Sequence, residues 1–354
     1  MNGNKDLILN ETFALAFLNH EKNNFLIAKN LYNKVLKIDP NHIGALSNLG
    51  IVFNLLKEYQ NAVNCHEKVI EINPHHADAY INLGIVFSNI EDYQKGISCY
   101  EKAIEINPNF TDAHFNLGNI YKKIKKNKKA ITCYEKTIEI NPNYVNAYNN
   151  LGILFYEIND IQKAKDFFEK AIEINPNSDA YNNLGTIHDK LKEYNKAIIC
   201  YEKAIEINPN FTEAYNNLGS IFVILKDYQK ATTCYEKLIK INPNHLNAHF
   251  NLGNIYISLR EYQKAKNCYD KVIEINPEHV DAHGNLGAVF YHLKQYNKAI
   301  GSYEKAKNLD SNNKVNKIGY GNLLLKLNKH KKGLSFLAEG EGVIKFTQSD
   351  FKII

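Results

Sequence analysis

The sequence predicts an all-α solenoid assembled from one repeated helix-turn-helix unit, and three observations predict it. The eight prolines lie at 40, 74, 108, 142, 176, 209, 243 and 277, so every gap is 34 residues except one of 33. The tripeptide Asn-Leu-Gly keeps the same step, with glycines at 50, 84, 118, 152, 185, 219, 253 and 287, and its short gap falls at the same turn, after Pro176. Each period carries two runs of apolar residues at the three-to-four spacing of an amphipathic helix. Length alone, 354 residues, would suggest two globular domains. A period that organises nearly the whole chain replaces that reading with an array.

The elements of one period can be read in order. Around Gly118, the residues Ala113, Leu117, Ile120, Tyr121 and Ile124 form one helical face. After a turn near Asn127, Ala130, Tyr134, Thr137 and Ile138 form a second. Proline then closes the period, because the residue before it is forced out of the α region. The glycine requires an explanation, since in a helix interior it costs about 1 kcal/mol relative to alanine. Repetition at one phase implies close packing of the first helix on the second. The small residue twelve positions on (Ala62, Gly96, Ala130, Ala164, Ala197, Ala231, Ala265, Ala299) is the expected contact. A bulky partner follows four residues later: His66, Tyr100, Tyr134, Phe168, Tyr201, Tyr235, Tyr269 and Tyr303.

The period places clean repeats at 43–76, 77–110, 111–144, 145–177, 178–211, 212–245, 246–279 and 280–313. Residues 1–8 read as an N-terminal tail and 9–42 as a divergent first repeat, in which Ala16 replaces the glycine while Ala28, Tyr32 and Pro40 keep register. Residues 314–347 read as a degenerate repeat or cap, with Gly321 in phase but Gly333, Gly340 and Gly342 expected to spoil its second helix; 348–354 read as a tail. End repeats pack on one side only, so departures there are expected.

Leu-Gly, an aromatic three on, Ala twelve on, an aromatic sixteen on and Pro twenty-four on, as in Leu151, Gly152, Phe155, Ala164, Phe168 and Pro176, resembles the tetratricopeptide repeat. The resemblance implies stacked helix pairs in a right-handed superhelix, first helices lining a concave groove, and binding of other polypeptides. It also implies that first-helix positions around Leu-Gly face that groove. The most regular of these is the asparagine two before the glycine: Asn48, Asn82, Asn116, Asn150, Asn183, Asn217, Asn251 and Asn285. An amide offers both donor and acceptor, so such a ladder can hold an extended backbone without reading its sequence. The arrangement is similar to the repeat domain of the O-linked N-acetylglucosamine transferases, in which such a ladder grips substrates. Asparagine is also common at this position in the family, and the chain holds 51 of them, so repeat consensus and composition are an alternative source. Ile51, Ile85, Asn119, Ile153, Tyr156 and Tyr291 form the next tier. Asp78, Asp112, Asp179, Glu213 and Asp281, four residues before the asparagine, argue against a basic carboxylate clamp and favour a basic or neutral peptide, although acids at helix starts also complement the dipole.

Other chemistry is weak. The cysteines at 65, 99, 133, 200, 234 and 268 share one second-helix slot, held elsewhere by Phe167 and Ser302; such a slot is for packing. His245/His249 and His279/His283 gain no repeating third ligand, and no metal or cofactor is expected. The run Lys122–Lys129 reads either as a solvated turn or as a docking point for an acidic partner or RNA. The 43 basic residues are lysines apart from Arg260 and the net charge is +5; with so little guanidinium for phosphate and guanine recognition, nucleic acid is not expected as a partner. No secretory pattern opens the chain and no apolar run approaches a membrane span, so the expectation is a cytoplasmic protein. With no catalytic motif and about seven residues after the repeats, the sequence predicts a non-catalytic scaffold binding proteins or extended peptides, with no small-molecule substrate. The alternatives are a substrate-recruiting component of a separate glycosyltransferase system and a self-assembling structural solenoid.

Overall fold

The computed structural model describes residues 2–341, 344–346 and 351–353, and consecutive helices pack in pairs as the period predicts. The contacts define two compact units, Met1–Pro176 and Asn177–Ile354. The first contains α1 (Asn2–Glu21), α2 (Phe25–Ile38), α3 (Ile43–Leu55), α4 (Tyr59–Ile72), α5 (Ala77–Asn89), α6 (Tyr93–Ile106), α7 (Thr111–Lys123), α8 (Asn127–Ile140), α9 (Val145–Glu157) and α10 (Ile161–Ile174). The second contains α11 (Ser178–Lys190), α12 (Tyr194–Ile207), α13 (Thr212–Ile224), α14 (Tyr228–Ile241), α15 (Leu246–Ser258), α16 (Tyr262–Ile275), α17 (Val280–His292), α18 (Tyr296–Leu309), α19 (Lys314–Lys326) and α20 (His330–Glu341), followed by strands β1 (Ile344–Phe346) and β2 (Phe351–Ile353). None of these helices is long and apolar enough to cross a membrane.

Local chemistry sets each boundary. Asn73, before Pro74, is extended at φ −136°, ψ 93°, as a residue preceding proline must be. Its side-chain oxygen accepts the His75 amide at 3.1 Å, and Asn107, Asn141, Asn208, Asn242 and Asn276 repeat this turn. The asparagine before each of these six prolines therefore closes an Asx turn. Two residues after four of the prolines a histidine caps the next helix, its Nδ1 accepting the amides of Ala45, Ala79, Ala248 and Ala282 at 3.1–3.2 Å. First helices end on a left-handed residue, from Asn23, Lys57 and Glu91 through to Lys294 and Asn328. None of these is glycine, so the sequence carries no obvious stop signal there.

Packing explains the glycines, with a correction. A Cβ at Gly152 would lie 2.5 Å from Phe168 Cε1, and one at Gly84 would lie 2.7 Å from Tyr100 Cε1. The aromatic sixteen positions on, rather than the small residue twelve on, covers the glycine. The small residue faces the glycine's carbonyl instead: a Cβ on Gly96 would stand 3.4 Å from Gly84 O.

The ends differ from the sequence reading in three ways. Residues 2–8 form the opening turns of α1. Gly333 and Gly340 do not break the last helix, because both occupy its packed face: their added Cβ atoms would meet Leu325 and Gly321 O, and Ile318 and Lys314 O, respectively. Gly333 stands in the small-residue slot twelve after Gly321, which explains its tolerance; Gly342 lies outside the described residues. Beyond α20, β1 and β2 pair antiparallel in register Ile344 with Ile353 and Phe346 with Phe351. Of the expected tail at 348–354, only 351–353 are described.

Candidate functional site

Each of the eight ladder asparagines lies mid-way along the first helix of its repeat, half-buried. In the first unit, Asn150 donates its amide to Asn119 Oδ1 at 3.2 Å, and its own oxygen accepts Lys122 Nζ at 3.1 Å. Asn119 also accepts the Tyr134 hydroxyl at 2.8 Å. In the second unit, Asn217 donates to Asn182 Oδ1 at 3.1 Å, and Asn251 to the Tyr235 hydroxyl at 3.2 Å. Asn285 donates to Asn254 Oδ1 at 3.0 Å and to the Tyr269 hydroxyl at 3.3 Å. These amide nitrogens thus bind back to the preceding repeat, while the oxygens of Asn217, Asn251 and Asn285 have no partner among the described residues. Asn48, Asn82, Asn116 and Asn183 hold the corresponding position on α3, α5, α7 and α11.

Sequence reasoning placed the tyrosine between the asparagines as a packing partner and missed the work of its hydroxyl. Its ring lies on the repeat glycine and its hydroxyl meets the side chain one residue after that glycine: Asn119, Thr186, Ser220 or Asn254. Burial pushes the Tyr134 and Tyr269 hydroxyls far above their usual range, so they remain protonated donors. Where the ring is Phe168, the facing residue is Ile153. Tyr100 and Tyr303 face Ile85 and Ala288 in the same slot, so the residue after the glycine carries only a partial signal.

The same slots border two open notches. In the first unit Ile85, Ser88, Tyr93, Tyr100, Asn116 and Asn119 line about 420 Å³. In the second, Ser220, Val223, Tyr228, Tyr235, Asn251 and Asn254 line about 240 Å³. Each notch combines an apolar wall with amide and hydroxyl groups, suited to a side chain flanked by peptide backbone. Of the second-tier residues Ile85 and Asn119 lie here, while Ile51, Ile153, Tyr156 and Tyr291 are half-buried on other repeats. The five acids are exposed in the first turns of their helices; Asp112 accepts the Tyr144 hydroxyl and Asp281 the Asn313 amide.

The remaining candidates have structural work. All six cysteines are buried and none forms a disulfide among the described residues, and burial raises Cys65 and Cys133 to about 11 and Cys99, Cys234 and Cys268 to about 12, which suppresses thiolate chemistry. Beyond the histidine caps, His114, His249 and His283 each hold a proline carbonyl through Nε2 at 2.9 Å. Among the described residues no three His, Cys, Asp or Glu side chains gather as a metal set.

The tetratricopeptide repeat model matches residues 44–76, 77–110, 145–178, 178–211, 212–245, 246–279 and 280–313, well over half the chain. Related repeat models match 118–159 and 99–132. Similar solved structures include YrrB, described as a repeat protein of this type with an unusual peptide-binding site, at 29% identity and a TM-score of 0.44, covering 52% of this chain and 95% of that one. Two structures of MamA are similar at 31% and 28% identity, each with a TM-score of 0.42, covering 45% and 53% of this chain and 93% and 95% of theirs. Comparison with curated proteins gives no match.

Proposed function

The chain belongs to the tetratricopeptide repeat family, and on that premise we propose that it is a non-catalytic scaffold that captures extended segments of other proteins along its first helices. The observation that carries this reading is the fixed orientation of the asparagine amides. With their nitrogens held by the tyrosine hydroxyl or by a neighbouring asparagine, Asn217, Asn251 and Asn285 keep an oxygen without a partner among the described residues. Such an oxygen is a pre-oriented acceptor for a peptide N–H, so little ordering cost remains at binding. The neighbouring notches receive side chains and supply selectivity. The protein acts in the cytoplasm in this reading.

The test is an affinity capture read by mass spectrometry, with the wild type beside a variant in which Asn217, Asn251 and Asn285 are alanine. At about 1 kcal/mol per hydrogen bond, loss of three weakens partner binding by up to about a hundredfold. Because the amide nitrogens of these three residues also brace the scaffold, melting curves accompany the capture. Identical partner lists for the two proteins would remove the ladder from the mechanism. A separate transferase among the lost partners would identify the scaffold as a recruiting component.

A further inference from the structure

The repeat at 111–144 departs from its neighbours at one turn. Lys122, Lys123, Lys125, Lys126, Lys128 and Lys129 flank the α7–α8 junction. In six other clean repeats the residue capping the second helix is an acid: Glu58, Asp92, Asp160, Glu193, Asp227 or Glu261. Asp92, Asp160 and Asp227 accept the third amide of their helix, and all but Glu58 pair with the lysine three residues on. At α8 the cap is Lys126, which makes no side-chain cap bond. Lys128 and Lys129 then load a helix start whose dipole already favours negative charge. None of the six lysines is ion-paired among the described residues. The turn therefore gives up a cap and accumulates repulsion, a local cost that an anion would relieve.

The cluster is continuous with the candidate binding face. Lys122 donates to the ladder residue Asn150 at 3.1 Å, and burial lowers its pKa. Lys123 borders the notch containing Asn116 and Asn119. Lys122, Lys123 and Lys125 line a second opening of about 540 Å³ with Asn119 and Asn127, where Glu157 is the lining acid.

We infer that this junction anchors an acidic stretch of the captured polypeptide, with Lys123, Lys125 and Lys126 neutralising its carboxylates beside the backbone-binding amides. The inference rests on the groove-binding reading above. A peptide fits better than nucleic acid: the cations span one turn rather than a track, Glu91 and Glu157 interrupt them, and the adjacent Tyr121 ring is already covered by Lys129 at 5.1 Å rather than open for base stacking.

The test uses fluorescence anisotropy with a glutamate-rich peptide spaced by Gly and Ser, the same peptide with glutamine for every glutamate, and an oligouridylate of equal length. Wild type is expected to bind the glutamate peptide about tenfold more tightly than the glutamine peptide, with the gap closing as salt rises. The K125Q/K126Q variant loses most of that gap and keeps its glutamine-peptide affinity. Lys126→Asp restores the cap of the other repeats, so it raises the melting temperature while lowering affinity for the glutamate peptide, opposite signs that a purely structural role does not give. Equal affinity of wild type for the two peptides overturns the acidic anchor and leaves groove capture standing. Failure of both peptides to bind overturns the anchor together with groove capture. Tighter binding of oligouridylate than of either peptide overturns the choice of partner.

Discussion

Asn285 donates its side-chain amide to the Tyr269 hydroxyl across 3.3 Å, joining a first helix to the second helix of the preceding repeat. The same hydroxyl donates to Asn254 Oδ1 at 2.6 Å. Tyr269→Phe removes both bonds without changing the ring, and Phe168 shows that the slot accepts phenylalanine. Stability should fall by about 1–2 kcal/mol, read from denaturant midpoints at constant slope. An unchanged midpoint would show that this hydrogen-bonded link adds nothing to repeat stacking.

Two glycine-to-alanine changes should move stability in opposite directions. At Gly152 the new methyl would lie 2.5 Å from Phe168, and overpacking of this kind costs about 1–3 kcal/mol, outweighing the gain of about 1 kcal/mol in helix propensity. At Gly301, mid-way along α18, nothing lies within 4 Å, so the propensity gain stands alone and the protein is stabilised. Thermal melts of both variants decide this; stabilisation at Gly152 would refute the packing account.

His66 gives the first unit a pH dependence. It fills the slot of the buried tyrosines, is fully buried, and neither ring nitrogen has a hydrogen-bond partner among the described residues. Burial, aided by the charge of His76, lowers its pKa from 6.5 to about 4. Between those values the unfolded chain takes up a proton that the folded chain refuses, so stability falls as pH drops from about 6.5 towards 4, by at most about 3 kcal/mol. His66→Phe should flatten that part of the stability–pH curve and raise stability at neutral pH. A curve of unchanged shape between pH 6.5 and 4 would exclude His66 as its source.

Much of this architecture was legible because repetition is written along the chain. Prolines mark helix ends through a steric rule that needs no neighbours, and the apolar slots recur with the helix period. The last repeat was harder to read: Gly333 looked like a helix breaker until its place opposite Gly321 made it a packing residue. The ladder positions could be found from spacing, whereas the direction of their amides could not. Asn217 and Asn182 are 35 residues apart, and Asn285 and Asn254 are 31 apart; such pairs meet only once repeats stack.

The sequence by itself determined the repeat length, the two helices per repeat and the residue types in each slot, since these follow from local sterics and periodic burial. Tertiary structure alone decided that the aromatic, not the small residue, covers each glycine, that Tyr269 and Asn285 share a hydrogen bond, and that Lys122 turns in to meet Asn150. Those outcomes depend on the distance and rotation between packed helices. Side-chain volumes fix these together across a repeat interface, and no single stretch of chain contains both sides of it.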